Sequence, residues 1–224
     1  MKRTKLADRK LPDYTKCEEI FNMVSHIAGG ALGIVALVVC VTKAAMMSND
    51  WGVVSSAIYG ASLIMLYTMS SVYHGVRHEG AKKVLQILDH CTIYFLIAGT
   101  YTPILLCAVR RVDPVTAWGL FALVWGCAAL ATVFTAIDLK KYSVFSMICY
   151  LGMGWCIVFA VDPMLKSAEL TGIIWLLLTG GISYTVGAIL YGIGKNHRYM
   201  HSVFHLFVVL GSLLHFFFIL FYIL

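Results

Sequence analysis

The last stretch of the chain, residues 200–224, reads MHSVFHLFVVLGSLLHFFFILFYIL and decides what kind of protein this is. From Ser202 to Leu224 it contains no Asp, Glu, Lys or Arg, and roughly 20 apolar residues in a helix are enough to cross a bilayer. Yet the stretch opens with two histidines, His201 and His205, four residues apart. It therefore predicts a membrane-spanning helix that carries a pair of polar side chains at one end.

The rest of the chain has the same apolar character. Hydrophobic residues make up 60% of its 224 residues and charged residues 12%, whereas soluble domains average about 45–50% and about 25%. Seven runs are long and apolar enough to cross a bilayer, and polar loop sequences separate them. The runs are Ile20–Lys43, Trp51–Val76, Val84–Val109, Val115–Ile137, Tyr142–Val161, Glu169–Ile193 and Ser202–Leu224. We therefore predict an all-α integral membrane protein, with a seven-helix transmembrane bundle at residues 20–224 behind a basic tail at residues 1–19.

Lysine and arginine are distributed unequally between the two sides of this predicted bundle, with 13 on the side of the N-terminus and four on the other. The first group is Lys2, Arg3, Lys5, Arg9, Lys10, Lys16, Arg77, Lys82, Lys83, Lys140, Lys141, Lys195 and Arg198, and the second is Lys43, Arg110, Arg111 and Lys166. Because positively charged loops remain in the cytoplasm, the N-terminus is predicted to be cytoplasmic and the C-terminus outside. The basic residues are spread over tail and loops, so we expect membrane lipids as partners and no nucleic acid.

The spacing of the two histidines in the opening stretch indicates a metal site. On an α-helix, positions four apart lie one turn apart on the same face, so His201 and His205 can point their imidazoles at one centre. This spacing suits two ligands of one Zn²⁺. Two histidines at the membrane interface, each hydrogen-bonded to a neighbouring helix, would show the same spacing, so the pair alone leaves both interpretations open.

Other ionisable residues fall at a similar depth in the predicted membrane. His74 lies near the end of the second run and Asp89 near the start of the third, which places both in the same leaflet as the two histidines. A charged group at the centre of a membrane helix costs about 2.5–3.5 kcal/mol, and such residues mark functional sites by default. One shared metal site, with His74, His201 and His205 as its ligands, accounts for all of them.

The chemistry of these residues favours catalytic zinc. Three neutral imidazoles with an open fourth position are typical of catalytic Zn²⁺, whereas Mg²⁺ or Ca²⁺ would need more carboxylates. Zinc lowers the pKa of bound water to about 7, and Asp89 is placed to take the proton of that water. Ser70, one turn before His74, can hydrogen-bond the water, Asp89 or a ligand. Alternatively, it bonds back to the carbonyl four residues earlier, as serines in membrane helices often do.

Three polar residues at the boundary between the tail and the first run share one helical face. Glu19, Asn22 and His26 are spaced three and four residues apart, so they can orient the zinc ligands through hydrogen bonds. The three residues can instead pair with the basic loops, or Glu19 can remain in water at the headgroup level, where the helix N-terminus favours a negative charge. His90 is expected to point away from the site because it follows Asp89, and His215 lies too deep to reach the same metal.

The combined motifs resemble the hemolysin III family, the bacterial branch of the progestin and adipoQ receptor (PAQR) group. They are E19–N22–H26, S70-x-x-x-H74, D89 at the start of the third run, and H201-x-x-x-H205. The resemblance extends from about Glu18 onward and implies a seven-helix protein of the bacterial plasma membrane. It also implies that His74, His201 and His205 bind zinc while Asp89 holds a zinc-bound water. The group is similar to the alkaline ceramidases, which hydrolyse a lipid amide with a site of this kind.

Two classes of function are consistent with these features. The first is a zinc-dependent hydrolase that cleaves an amide or ester of a membrane lipid, because the site lies at the depth of a headgroup linkage. The second is a sensor or homeostasis protein in which zinc joins helices two, three and seven. A structural zinc closes its fourth position with a protein ligand, whereas a hydrolase keeps water there. A pore-forming cytolysin, which the family name suggests, fits less well because the chain has no soluble part in which to hide its spans.

Overall fold

A computed structural model of the chain describes residues 4–166, 174–194 and 197–224. These residues contain helices, turns and irregular segments but no strand. Within them, seven helices are long and apolar enough to cross a membrane, which confirms the predicted fold class. The helices are α1 (Lys16–Met46), α2 (Asp50–Gly75), α3 (Glu79–Val112), α4 (Pro114–Ile137), α5 (Ser143–Lys166), α6 (Ile174–Ile193) and α7 (Met200–Ile223).

The helices extend past the apolar runs where polar residues cap them. α1 begins at Lys16 rather than near Ile20, because Thr15 and Glu18 form a capping box. The Thr15 hydroxyl accepts the backbone N–H of Glu18 at 3.2 Å, and the Glu18 carboxylate accepts the backbone N–H of Thr15 at 2.8 Å. A capping box satisfies backbone donors that have no partner inside the helix, so the helix begins within polar sequence.

Helices α1 and α2 pack closely against each other through glycine residues. A Cβ at Gly29 would overlap the Tyr67 ring, and one at Gly60 would lie 2.6 Å from the Cα of Leu37. Lipid provides no hydrophobic force that drives helices together, so membrane helices associate through small residues that allow close approach. The contact holds the polar first turns of α1 beside the last turns of α2.

Apolar side chains cover the outside of the bundle, and many polar side chains lie inside it. Examples of exposed apolar residues are Ile34, Val115, Ile148 and Trp175. Buried polar residues include Asn22, His26, Ser70, His74, Asp89 and His205. Since ionisable groups in membrane helices face the bundle interior rather than lipid, this distribution and the seven spans describe a multi-pass membrane protein.

Residues 4–15 cross one end of the bundle, which we call the N-terminal face. The backbone N–H of Thr4 donates to the Asp138 carboxylate at 2.7 Å, in the turn between α4 and α5. Lys83 in α3 and Arg198 before α7 donate to carbonyls of the same segment at 3.0 and 2.6 Å. That this face is cytoplasmic remains a prediction. Lys2, Arg3 and Lys195 of the charge count, and the predicted start of the sixth run at Glu169, lie outside the described residues.

Candidate metal centre

Three histidine side chains converge at the N-terminal face, inside the bundle. His74 comes from the penultimate residue of α2, and His201 and His205 come from the first two turns of α7. The Nε2 atom of His201 lies 3.3 Å from that of His74 and 3.0 Å from that of His205. One nitrogen from each ring lies within 4.8 Å of the other two, so the group can bind a metal ion.

Glu19 holds the other side of the His74 ring. Its Oε2 atom lies 2.6 Å from His74 Nδ1, and its Oε1 atom lies 2.9 Å from the Lys82 ammonium. An ionised carboxylate can only accept hydrogen bonds, so Nδ1 carries a proton, and in the neutral ring that a metal ligand requires the lone pair of His74 is then on Nε2. Carboxylate partners of this kind fix the tautomer and orientation of metal-binding histidines.

Hydrogen bonds alone cannot satisfy the three converging nitrogens. Each Nε2 atom of a neutral imidazole carries either one proton or one lone pair. His201 Nε2 faces both His74 Nε2 and His205 Nε2, so it can make a proper hydrogen bond with only one of them. A cation at the centre accepts all three lone pairs at once.

Asn22 and His26 both contact α7, and the His26 ring also lies edge-on to Tyr67 of α2, with centroids 5.1 Å apart. The Asn22 side-chain oxygen accepts a hydrogen bond from the Ser202 hydroxyl at 2.7 Å, and Ser202 lies between the two histidines of α7. The His26 ring stacks on the His205 ring with centroids 3.6 Å apart and planes 9° apart. Glu19 therefore contacts His74 in α2, Asn22 contacts the start of α7, and His26 lies between His205 of α7 and Tyr67 of α2.

Asp89 and Ser70 lie at the edge of the histidine cluster. Both line a cavity that also includes His201 and His205, but Asp89 is outside the group of nitrogens that lie within 4.8 Å of one another. The Ser70 hydroxyl lies beside the Asp89 carboxylate. It has no hydrogen-bond partner among the described residues, so the alternative bond to the carbonyl four residues earlier is not formed.

The cavity extends from the histidine cluster into the bundle between apolar side chains. Its lining includes Leu66, Ile93, Leu96, Ile97, Leu151 and Val208. His90 also lines it, so the expectation that His90 points away is wrong: the cavity is wide enough to receive two successive residues of α3. His215 lies elsewhere on the lining and donates from Nε2 to the Leu177 carbonyl at 3.1 Å.

Tyr14 covers the cluster from the N-terminal face. Its ring lies nearly parallel to His201, with centroids 5.0 Å apart and planes 20° apart, and its centroid is 5.9 Å from that of His74. Burial raises the pKa of Tyr14 well above its usual value, so its phenol stays neutral. No pattern in the sequence indicates this contact, because Tyr14 lies in the polar tail before the first apolar run.

Glu18 is a second residue that the sequence did not single out. Its side chain is buried, and its Oε1 atom accepts the backbone N–H of Tyr199 at 2.6 Å, two residues before His201. Glu18 and Glu19 both stand in the first turn of α1, and a sequence pattern cannot show which of them faces which helix.

Comparison with known proteins identifies the family. The family profile described as "Haemolysin-III related" matches residues 14–216, which include every residue of the histidine cluster. The chain belongs to this family. Hemolysin-3 of Bacillus cereus is 39% identical over 207 residues, which cover 92% of each chain. The Hemolysin-3 homolog of Bacillus subtilis (strain 168) is 40% identical over 209 residues, which cover 93% of this chain and 96% of that protein.

The relationship extends beyond bacteria. The human monocyte to macrophage differentiation factor is 29% identical over 182 residues, which cover 76% of this chain and 71% of that protein. The predicted resemblance to the hemolysin III family and the wider PAQR group is therefore confirmed.

Proposed function

We propose that this chain is a zinc-dependent hydrolase that cleaves an amide or ester bond of a membrane lipid and so contributes to membrane homeostasis. The observation that carries the proposal is the convergence of His74, His201 and His205 beside a cavity that Asp89 also lines. A three-histidine metal site, a carboxylate and an apolar chamber together suit hydrolysis of a lipid close to its headgroup.

The nitrogen positions support zinc as the metal. With Zn–N bonds of about 2.0–2.1 Å in tetrahedral geometry, two ligand nitrogens lie roughly 3.3–3.4 Å apart. The Nε2 atom of His201 lies 3.3 Å from that of His74 and 3.0 Å from that of His205. The donor set also fits, since neutral imidazole suits zinc, whereas Mg²⁺ and Ca²⁺ prefer oxygen ligands.

Asp89 and Ser70 are the residues to which we assign the proton transfers. Zinc, when bound, would polarise the substrate carbonyl and lower the pKa of a water molecule. Asp89 takes the proton from that water and returns it to the leaving amine or alcohol. Ser70, beside Asp89, offers its hydroxyl to the attacking water or to the developing oxyanion. Since Asp89 lies outside the tight nitrogen cluster, its position favours proton transfer over metal ligation.

The cavity lining indicates what kind of substrate reaches these residues. Apolar side chains from α3, α5 and α7 form much of its wall, which suits the acyl chains of a lipid. A lipid held there places its headgroup linkage near the histidines, at the N-terminal face. If that face is cytoplasmic, as the charge distribution predicts, the substrate is a lipid of the inner leaflet of the bacterial plasma membrane.

A non-enzymatic sensor is the second candidate, and one observation favours it. The histidines come from α2 and α7, and Glu19 joins α1 to the same cluster. A metal at this point would therefore hold three helices together whether or not it acted on a substrate. The two candidates differ in whether Asp89 has a role in turnover.

The test compares Asp89→Asn with the wild-type chain in metal content and lipid hydrolysis. Lipids extracted from cells with and without the protein identify a class that changes, and the purified protein is then assayed on that class. Asp89→Asn should retain zinc and lose roughly 10²–10⁴-fold in turnover, because it keeps the shape but removes the base. Asp162→Asn is the matched control, since Asp162 is exposed and pairs only with Lys166 in the described residues.

Two results would contradict the hydrolase proposal. Loss of zinc in Asp89→Asn would make Asp89 a ligand and favour a structural metal. A wild-type protein that binds zinc but hydrolyses nothing across a broad panel of lipid amides and esters would favour the sensor.

A further inference from the structure

The helix that carries two of the three histidines begins with an unusual backbone conformation. Tyr199, the residue before α7, has φ of 62°, in the left-handed region that residues other than glycine adopt infrequently. Its side chain makes no capping hydrogen bond to the first turn of the helix. The first turn of α7 therefore has no side-chain cap from Tyr199.

Glu18 of α1 contacts the backbone at Tyr199. Its side chain is 3% exposed, and its Oε1 atom accepts the Tyr199 backbone N–H at 2.6 Å. Its Oε2 atom accepts the backbone N–H and the hydroxyl of Thr15, both at 2.8 Å, and lies 3.4 Å from the Arg198 guanidinium. The contacts with Thr15 hold the carboxylate at the start of α1, and the contacts with Tyr199 and Arg198 join it to the turn that leads into α7.

We propose that Glu18 is a positioning residue for the metal centre, acting through the start of α7. The inference rests on the proposed metal site and identifies what aligns its ligands. The Tyr199 N–H lies two residues before His201, so the bond to Glu18 fixes both the height at which α7 begins and its rotation. Metal ligands have to be held within about 0.5 Å of their working positions, and a shift of α7 moves both of its histidines together.

The two successive glutamates of α1 then serve two different helices. Consecutive residues on an α-helix point about 100° apart, so Glu18 can face α7 while Glu19 faces α2. Glu19 orients His74 directly through Nδ1, and Glu18 orients the α7 pair through the backbone. One turn after Glu18, Asn22 accepts the Ser202 hydroxyl and continues the same contact between α1 and α7.

The experiment measures Co²⁺ and Zn²⁺ binding by the full-length, detergent-purified protein after removal of metal. In Glu18→Gln we expect zinc affinity to fall roughly ten-fold, because glutamine still accepts the Tyr199 N–H but without the charge that strengthens the bond. We also expect the ligand-field spectrum of the bound Co²⁺ to change. A residue that only stabilised the fold would lower the amount of folded protein without changing the spectrum per bound ion. Glu79→Gln is the matched control, because Glu79 is exposed in the first turn of α3 and pairs with Lys83.

Variants at Tyr199 test the same idea without altering Glu18, and remain informative if Glu18→Gln does not fold. Tyr199→Gly adopts positive φ without strain, so its metal affinity should stay within about three-fold of wild type. Tyr199→Ile introduces a β-branched residue, for which this conformation is an outlier, and should weaken metal binding and change the Co²⁺ spectrum.

The outcomes separate this inference from the proposal of a metal site. A wild-type chain that binds neither Co²⁺ nor Zn²⁺ overturns the metal site itself. If the wild type binds metal, identical affinities and spectra in Glu18→Gln and Tyr199→Ile overturn the positioning role of Glu18 alone.

Discussion

Replacement of Glu19 by glutamine tests the link between the first helix and the histidine cluster most directly. The Glu19 carboxylate lies 2.6 Å from His74 Nδ1, and its side chain is only 19% exposed. Glutamine has almost the same shape and still offers a carbonyl oxygen to Nδ1–H. The variant therefore removes the negative charge from the hydrogen bond while leaving an acceptor in place.

The size of the effect follows from the difference between charged and neutral hydrogen bonds. A hydrogen bond to a charged group contributes about 1.5–3 kcal/mol, and a neutral one about 0.5–1.5 kcal/mol. The difference of about 1–1.5 kcal/mol corresponds to roughly ten-fold in an equilibrium constant. Glu19→Ala goes further, because it leaves a buried N–H without an acceptor, at about 1–3 kcal/mol or roughly 5- to 150-fold.

The assay is a competition titration of zinc between the purified protein and a chromogenic chelator. We expect zinc affinity to decrease from wild type to Glu19→Gln and again to Glu19→Ala. Glu79→Gln, which removes a charge from a side chain that is 73% exposed and pairs with Lys83, should match the wild type. Equal affinities in wild type and Glu19→Ala would refute the reasoning, as would a loss of the same size in Glu79→Gln.

Three further predictions concern the metal ligands, the orientation of the chain and the N-terminal tail. His201→Ala removes one of three converging nitrogens, so elemental analysis of the purified variant should find zinc at background level; wild-type stoichiometry would contradict the ligand assignment. A reporter active only in the cytoplasm, fused after Leu224, should be inactive, because the lysine and arginine distribution places the C-terminus outside; an active reporter would mean the opposite orientation. Hydrogen bonds from the backbone N–H groups of Thr4 and Lys141 lower the pKa of Asp138 from 3.8 to about 2. At a pH above its unfolded pKa of 3.8, the ionised carboxylate therefore contributes fully to holding the tail in place. It loses this stabilising contribution as the pH falls through about 2. As the pH falls from 3.8 to about 2, pepsin cleavage within residues 4–15 should therefore increase in the wild type relative to Asp138→Asn. A ratio of the two cleavage rates that stays constant over this range would refute the prediction.

Much of the fold is determined by local sequence. Each apolar run has to form its backbone hydrogen bonds within itself once it is in lipid, so length and hydropathy alone predicted the seven spans. Helix periodicity likewise placed His201 and His205 on one face, since four residues make slightly more than one turn. The ends of helices are less predictable from hydropathy. Helix α1 begins at Lys16, before the apolar run, because Thr15 and Glu18 form a capping box in polar sequence.

The tertiary structure decided which side chains meet across helices. Glu18 and Glu19 are neighbours of the same type in the same turn, yet one contacts the backbone before α7 and the other contacts His74 in α2. Tyr14 reaches His201 only because the segment before α1 folds across the N-terminal face. Periodicity and hydropathy act within a single helix, whereas these contacts depend on the rotation, height and separation of packed helices. Those quantities are set by close contacts between helices, such as that of Gly29 with Tyr67. The sequence of one helix therefore does not determine them.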